Sequence, residues 1–225
     1  MPILDSRRRN RSQTGRKWND SALMPKPLYL VIAALSWPFV LGPFRLRARG
    51  KENLPPGGFV LGANHTSNFD PWPLALPLFP RRQLRFMAKS ELFNPILGPL
   101  LSGGGAFPVQ RGHGDLEAIQ TASELVRNGE IVVMFPEGTR RKKGLRKKHQ
   151  ARPHTGAARI ALDADAPLVP AAIKGTDRLS HLGPLRVAFG PPVPIDDLRG
   201  EEVKGAAREA TERLMSAIHA LEDSL

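Results

Sequence analysis

Two residues in the segment Asn64-His65-Thr66-Ser67-Asn68-Phe69-Asp70-Pro71 have the right types for proton transfer, His65 and Asp70. They form the pattern H-x4-D. On a regular helix such a pair points about 140° apart and cannot meet. In a turn the two can meet, provided Asp70 opens a helix, and Pro71 at the first helical position suits that placement. A carboxylate bonded to His65 fixes the tautomer of the imidazole and raises its basicity, which makes a general base for a hydroxyl. The plainer alternatives are an Asp70 that only caps a helix and a His65 that only sits in a solvated loop.

Three further segments carry polar groups beside apolar runs. Gly105-Ala106-Phe107-Pro108-Val109-Gln110-Arg111 sets an arginine after an apolar turn. Phe135-Pro136-Glu137-Gly138-Thr139-Arg140 follows an expected strand directly, and ligands gather at strand C-termini in open sheets. Val169-Pro170-Ala171-Ala172-Ile173 lies within another expected strand. Taken singly, Arg111 reads as a surface charge and Gly138 as a residue that permits positive φ. The other histidines, His113, His149, His154, His181 and His219, have no partner in the sequence pattern. There is no H-E-x-x-H and no carboxylate cluster, so neither metal nor cofactor is expected. Cysteine is absent, which removes disulfides, thiolate ligands and a cysteine nucleophile.

These residues need a scaffold, and 225 residues suffice for one α/β domain with a full core. The run GFVLGA (58–63) reads as a buried parallel strand ahead of the His65 turn. Residues 115–129 read as a helix, with Asp115 as N-cap, Leu116, Ile119, Ala122, Leu125 and Val126 on one face, and Gly129 as stop. IVVMFP (131–136), PLVPAAIKG (167–175) and LRVAFG (185–190) read as strands, 155–164 as a helix, and 201–225 as a closing amphipathic helix. Such alternation predicts an α/β fold: a single mixed or parallel sheet flanked by helices, without internal repeats.

The formal net charge of +12 predicts attraction to a polyanion, either nucleic acid or an anionic lipid surface. Nucleic acid is disfavoured, because one tyrosine and 6% aromatic residues leave little for base stacking. Residues 1–26 are polar and basic and read as a flexible tail that can also tether electrostatically to lipid. The apolar run LYLVIAALSWPFVLGPF (28–44) is too short to span a bilayer as one helix. Pro38 is expected to split it into two short helices lying in one leaflet, with Trp37, Lys26, Arg45, Arg47 and Arg49 at headgroup level. A signal peptide cleaved near Ala34-Leu35-Ser36 and an ordinary core helix are the rival readings. The expected organisation is thus a tail (1–26), a membrane-docking helical segment (27–49) and a catalytic domain (50–225).

In this order and at these separations, the four segments resemble the glycerophospholipid acyltransferase family from about residue 45 to 195. NHTSNFD and FPEGTR are the specific core of the resemblance, and the 169–173 segment is its loosest part. The resemblance implies catalytic roles for His65 and Asp70, with no covalent acyl-enzyme. It implies that Arg111 binds the acceptor phosphate, and that Asn64, Glu137, Gly138, Thr139 and Arg140 contact the acceptor. The implied donor is acyl-CoA or acyl-carrier protein, and the implied acceptor is the lysophospholipid 1-acylglycerol-3-phosphate or another lysolipid. The expected place of work is the cytoplasmic face of the cell membrane, held peripherally or monotopically. The basic run from Arg140 to Arg152 would gather anionic lipid or donor phosphates, or stand as a solvated loop. A different class of reading is a basic binding protein that keeps the fold without activity.

Overall fold

A computed structural model describes residues 26–109, 115–138 and 152–225. Seven strands form one sheet: β1 (Arg47–Arg49), β2 (Phe59–Ala63), β3 (Leu84–Lys89), β4 (Ala106–Val109), β5 (Ile131–Met134), β6 (Leu168–Lys174) and β7 (Arg186–Phe189). Their order is β1-β7-β6-β2-β5-β3-β4. The run from β6 to β4 is parallel throughout, whereas β7 is antiparallel to β6 and carries β1 parallel to itself. The mixed sheet expected from the alternation is therefore present. Its central strand, β2, is buried at every residue, as a strand covered on both faces must be.

The strand period of two divides the core cleanly. Val60, Val132 and Leu168 face a layer formed by α4 (Asp115–Arg127), α5 (Gly156–Asp163) and α6 (Val203–Asp223). Phe59, Leu61, Val133 and Val169 face the opposite layer, where α1 (Pro27–Leu41) and α2 (Pro71–Ala75) pack. A sixth helix, α3 (Leu97–Gly103), contacts α1 at the β4 edge, and Gly103 leaves room for the Leu28 side chain. Gly62 makes a similar allowance on the other face. A Cβ there would stand 2.7 Å from Leu214, so glycine lets α6 lie directly on β2.

The structure corrects two expectations. The apolar N-terminal run is one continuous helix through Pro38 rather than two. Both Pro38 and Ala34, the residue whose carbonyl loses its helical donor, are on the exposed side, so the ring meets no neighbouring element and the freed carbonyl points outward. Tyr29, Ala33 and Val40 hold the other side against the core, and the chain turns only at Gly42. Arg47 and Arg49 form the exposed positions of edge strand β1. On α4, Ile119, Ala122 and Val126 are buried as expected, but Leu116 is 59% exposed.

Candidate active site

In a parallel sheet the strand ends share one edge, and the loops leaving β2, β5 and β6 meet there. The β2 loop carries His65 and ends at Asp70, immediately before α2, which begins with Pro71 at its first position. The Asp70 side chain does not cap that helix. It turns back into its own loop and is completely buried.

Five hydrogen bonds hold the Asp70 carboxylate. Oδ2 accepts from the Thr66 N–H at 2.7 Å, from the Ser67 N–H at 2.9 Å and from His65 Nδ1 at 2.8 Å. Oδ1 accepts from the Thr66 hydroxyl at 3.2 Å and from the Thr176 hydroxyl. Burial alone would raise the carboxyl pKa, but the bonds from His65, Ser67, Thr176 and Thr66 outweigh it and hold Asp70 below its ordinary range. An ionised carboxylate can only accept, so Nδ1 of His65 carries the proton it donates. In the neutral ring this leaves the lone pair on Nε2. That is the tautomer of a general base.

The imidazole is held on its flat face as well. The Phe135 ring, just beyond β5, stacks on it with centroids 4.2 Å apart and planes 20° from parallel. With the His65 side chain 18% exposed, the ring is both oriented and reachable. Phe135 begins the turn through Glu137 and Gly138. Gly138 adopts φ +69°, and a Cβ there would lie 2.1 Å from the His154 ring, so the turn requires glycine on two counts. His154 in turn donates its N–H to the Pro136 carbonyl at 2.7 Å.

Asn64 is buried next to His65, and both ends of its amide are engaged by β6. Nδ2 donates to the Ile173 carbonyl at 2.9 Å, and Oδ1 accepts from the Ile173 N–H at 2.8 Å. It thus pins the start of the His65 loop to the neighbouring strand. No group of three or more metal-ligating side chains occurs among the described residues.

Comparison with known proteins gives the family. Residues 45–174, more than half of the chain, match the family described as Acyltransferase. The 1-acyl-sn-glycerol-3-phosphate acyltransferase of Bacillus subtilis is 35% identical over 185 residues, covering 80% of this chain and 89% of that protein. The chain belongs to the glycerophospholipid acyltransferase family. The Streptococcus pneumoniae 1-acyl-sn-glycerol-3-phosphate acyltransferase is 32% identical over 63% of this chain and 52% of its own length. Among solved structures, the 1-acyl-sn-glycerophosphate acyltransferase PlsC of Thermotoga maritima superposes with a TM-score of 0.56. That pair is 25% identical, with 78% of this chain and 71% of the other covered.

Of the acyltransferase residues expected from sequence, His65, Asp70, Asn64, Glu137 and Gly138 come together at this edge. Arg111, Thr139, Arg140 and most of the basic run beyond it lie outside the described residues. Two site residues have no role legible in the sequence. Thr176 follows β6 by two positions and reaches Asp70 across 106 residues of chain, so no local pattern marks it. The one usable signal was a hydroxyl at the C-terminal end of a core strand. Phe135 was within a recognised motif but reads there as ordinary strand hydrophobicity.

Proposed function

We propose that this acyltransferase moves a fatty acyl group from a thioester to the free hydroxyl of 1-acylglycerol-3-phosphate, forming phosphatidic acid. The observation that carries the proposal is the His65–Asp70 pair, with Nδ1 bonded to a buried carboxylate and Nε2 left to accept.

His65 Nε2 takes the hydroxyl proton as the oxygen attacks the thioester carbonyl carbon. The carbon–sulfur bond then breaks, and the departing thiolate takes the same proton back from the imidazolium. The carboxylate of Asp70 stabilises the imidazolium between these steps. Arg111 recognises the acceptor phosphate, with Glu137, Gly138, Thr139 and Arg140 completing the acceptor site. Asn64 acts by positioning the His65 loop. Relatives bearing the name 1-acyl-sn-glycerol-3-phosphate acyltransferase support this acceptor.

The acceptor is a membrane lipid, and α1 offers a docking surface for it. Val31, Leu35 and Phe39 are 53, 70 and 61% exposed along one side of the helix. No helix among the described residues is long and apolar enough to cross a membrane, and at 15 residues α1 reaches only about 22 Å. We place it in the headgroup and upper acyl region of one leaflet, with Trp37 at the interface.

The test is acyl transfer by the purified protein on a panel of lysolipids, with acyl-CoA and acyl-carrier protein as donors. Transfer to 1-acylglycerol-3-phosphate, abolished in a folded His65→Ala variant, is expected. Exclusive use of phosphate-free acceptors, or near wild-type turnover without His65, overturns the proposal.

A further inference from the structure

We infer that the cavity between α5 and α6 binds the phosphate groups of a coenzyme A thioester. This assignment rests on the acyl-transfer reading of the His65 site and adds to it where the donor is held.

The cavity measures about 560 Å³ and is lined by four cations, Arg152, Arg159, Lys204 and Arg208. That volume is within the usual range for small-molecule sites. A single carboxylate, Glu212, also lines it and bonds Arg208 Nε at 3.1 Å. No ion pair joins Arg152, Arg159 or Lys204 to a carboxylate among the described residues. Positive groups gathered in a concavity repel one another and focus a field that draws in anions. Guanidinium forks match phosphate oxygens in particular.

Position relates the cavity to the reaction. Pro153 and Thr155 in its wall flank His154, which is bonded to Pro136, and Pro136 follows the Phe135 ring that stacks on His65. Along that path Arg152 is within roughly 20 Å of the imidazole, about the reach of an extended phosphopantetheine arm by ordinary bond lengths. Phosphates held in the cavity would therefore let the thioester carbonyl arrive at His65.

Layering separates this cavity from lipid. It opens within the α4–α6 layer, whereas α1 and its exposed apolar side pack on the opposite face of the sheet. A membrane met through α1 does not reach the cavity. Its ligand must come from water, as a coenzyme A thioester does and a lysolipid headgroup does not.

The test is calorimetric titration of desulfo-coenzyme A, and of phosphate-free pantetheine, into the wild-type protein, Arg159→Gln and the double variant Lys204→Glu/Arg208→Glu. Lys204 and Arg208 are exposed, so the double variant keeps its fold even if the half-buried Arg159 does not tolerate change. Desulfo-coenzyme A is expected to bind, pantetheine not detectably, and the double variant to weaken binding at least about tenfold. The KM for acyl-CoA should rise in parallel, with kcat and the acceptor KM unchanged. Equal binding of desulfo-coenzyme A by the wild type and the double variant overturns the assignment. So does a rise in KM for acyl-carrier protein alone, which marks a protein-docking surface. Binding lost in the variants of a protein that transfers no acyl group would support the cavity and sink the catalytic reading instead.

Discussion

Replacing Asp70 with asparagine separates two duties that one carboxylate performs, fixing the His65 tautomer and stabilising its charge. The amide can enter the site in two orientations. With its NH2 in place of Oδ2 it would face three donors, the Thr66 and Ser67 N–H groups and His65 Nδ1. Each unmatched buried donor costs about 1–3 kcal/mol, so this orientation lies several kcal/mol higher. With its oxygen in that place those bonds survive, and the NH2 meets the hydroxyls of Thr66 and Thr176, which can rotate to accept. The backbone donors of the loop therefore keep the proton on Nδ1 in Asp70→Asn. Only the charge is lost.

The expected loss of rate follows from that charge. A carboxylate and an imidazolium about 4 Å apart attract by about 4 kcal/mol at an effective dielectric constant of 20. Removing this when the imidazolium forms should lower kcat by about 10²–10³-fold, with KM nearly unchanged. This is a smaller effect than about 10⁴-fold, the size of loss seen where such a change also flips the histidine tautomer. Single-turnover acyl transfer measures the rate, and nitrogen NMR of labelled His65 reads the tautomer. A proton found on Nε2 in the variant would refute the claim that Thr66 and Ser67 set the tautomer. A kcat within fivefold of wild type would refute the electrostatic role.

Two further changes test other parts of the account. Thr176→Val removes a buried donor to Asp70 at nearly constant volume, and kcat should fall about tenfold with KM unchanged, recovered in Thr176→Ser. Because the folded pKa of Asp70 is depressed, its stability contribution is present above the unfolded carboxyl pKa and is lost as pH falls through the folded value. Acid unfolding of Thr176→Val, followed by circular dichroism, should therefore begin at a higher pH than in the wild type, and an unchanged midpoint would contradict this. On α1, Leu35→Asp/Phe39→Asp should leave thermal stability unchanged, because both side chains point outward. Sedimentation with anionic vesicles should show at least about 100-fold weaker partitioning, since each apolar side chain contributes about 1.5–3 kcal/mol on burial. Unaltered vesicle binding would remove α1 from the membrane interface.

What the sequence discloses follows the range of each interaction. β2 and β5 are legible because full burial on both faces makes them unbroken apolar runs ending at the motifs they carry. β3 is not: Arg85 and Lys89 interrupt its sequence, and only pairing with β4 and β5 keeps it extended. β4 hides for a similar reason, since Pro108 reads as a turn but is accommodated in an edge strand, where one side has no ladder to break. At the site, the His65–Asp70 bond is nearly local, so spacing and Pro71 suffice to suggest it. The groups that tune the pair come from β5 and β6, brought near only when both strands align beside β2. Sequence therefore names the acid–base pair and the loop donors that set its tautomer, whereas the sheet brings up the Thr176 hydroxyl and the aromatic ring it rests on.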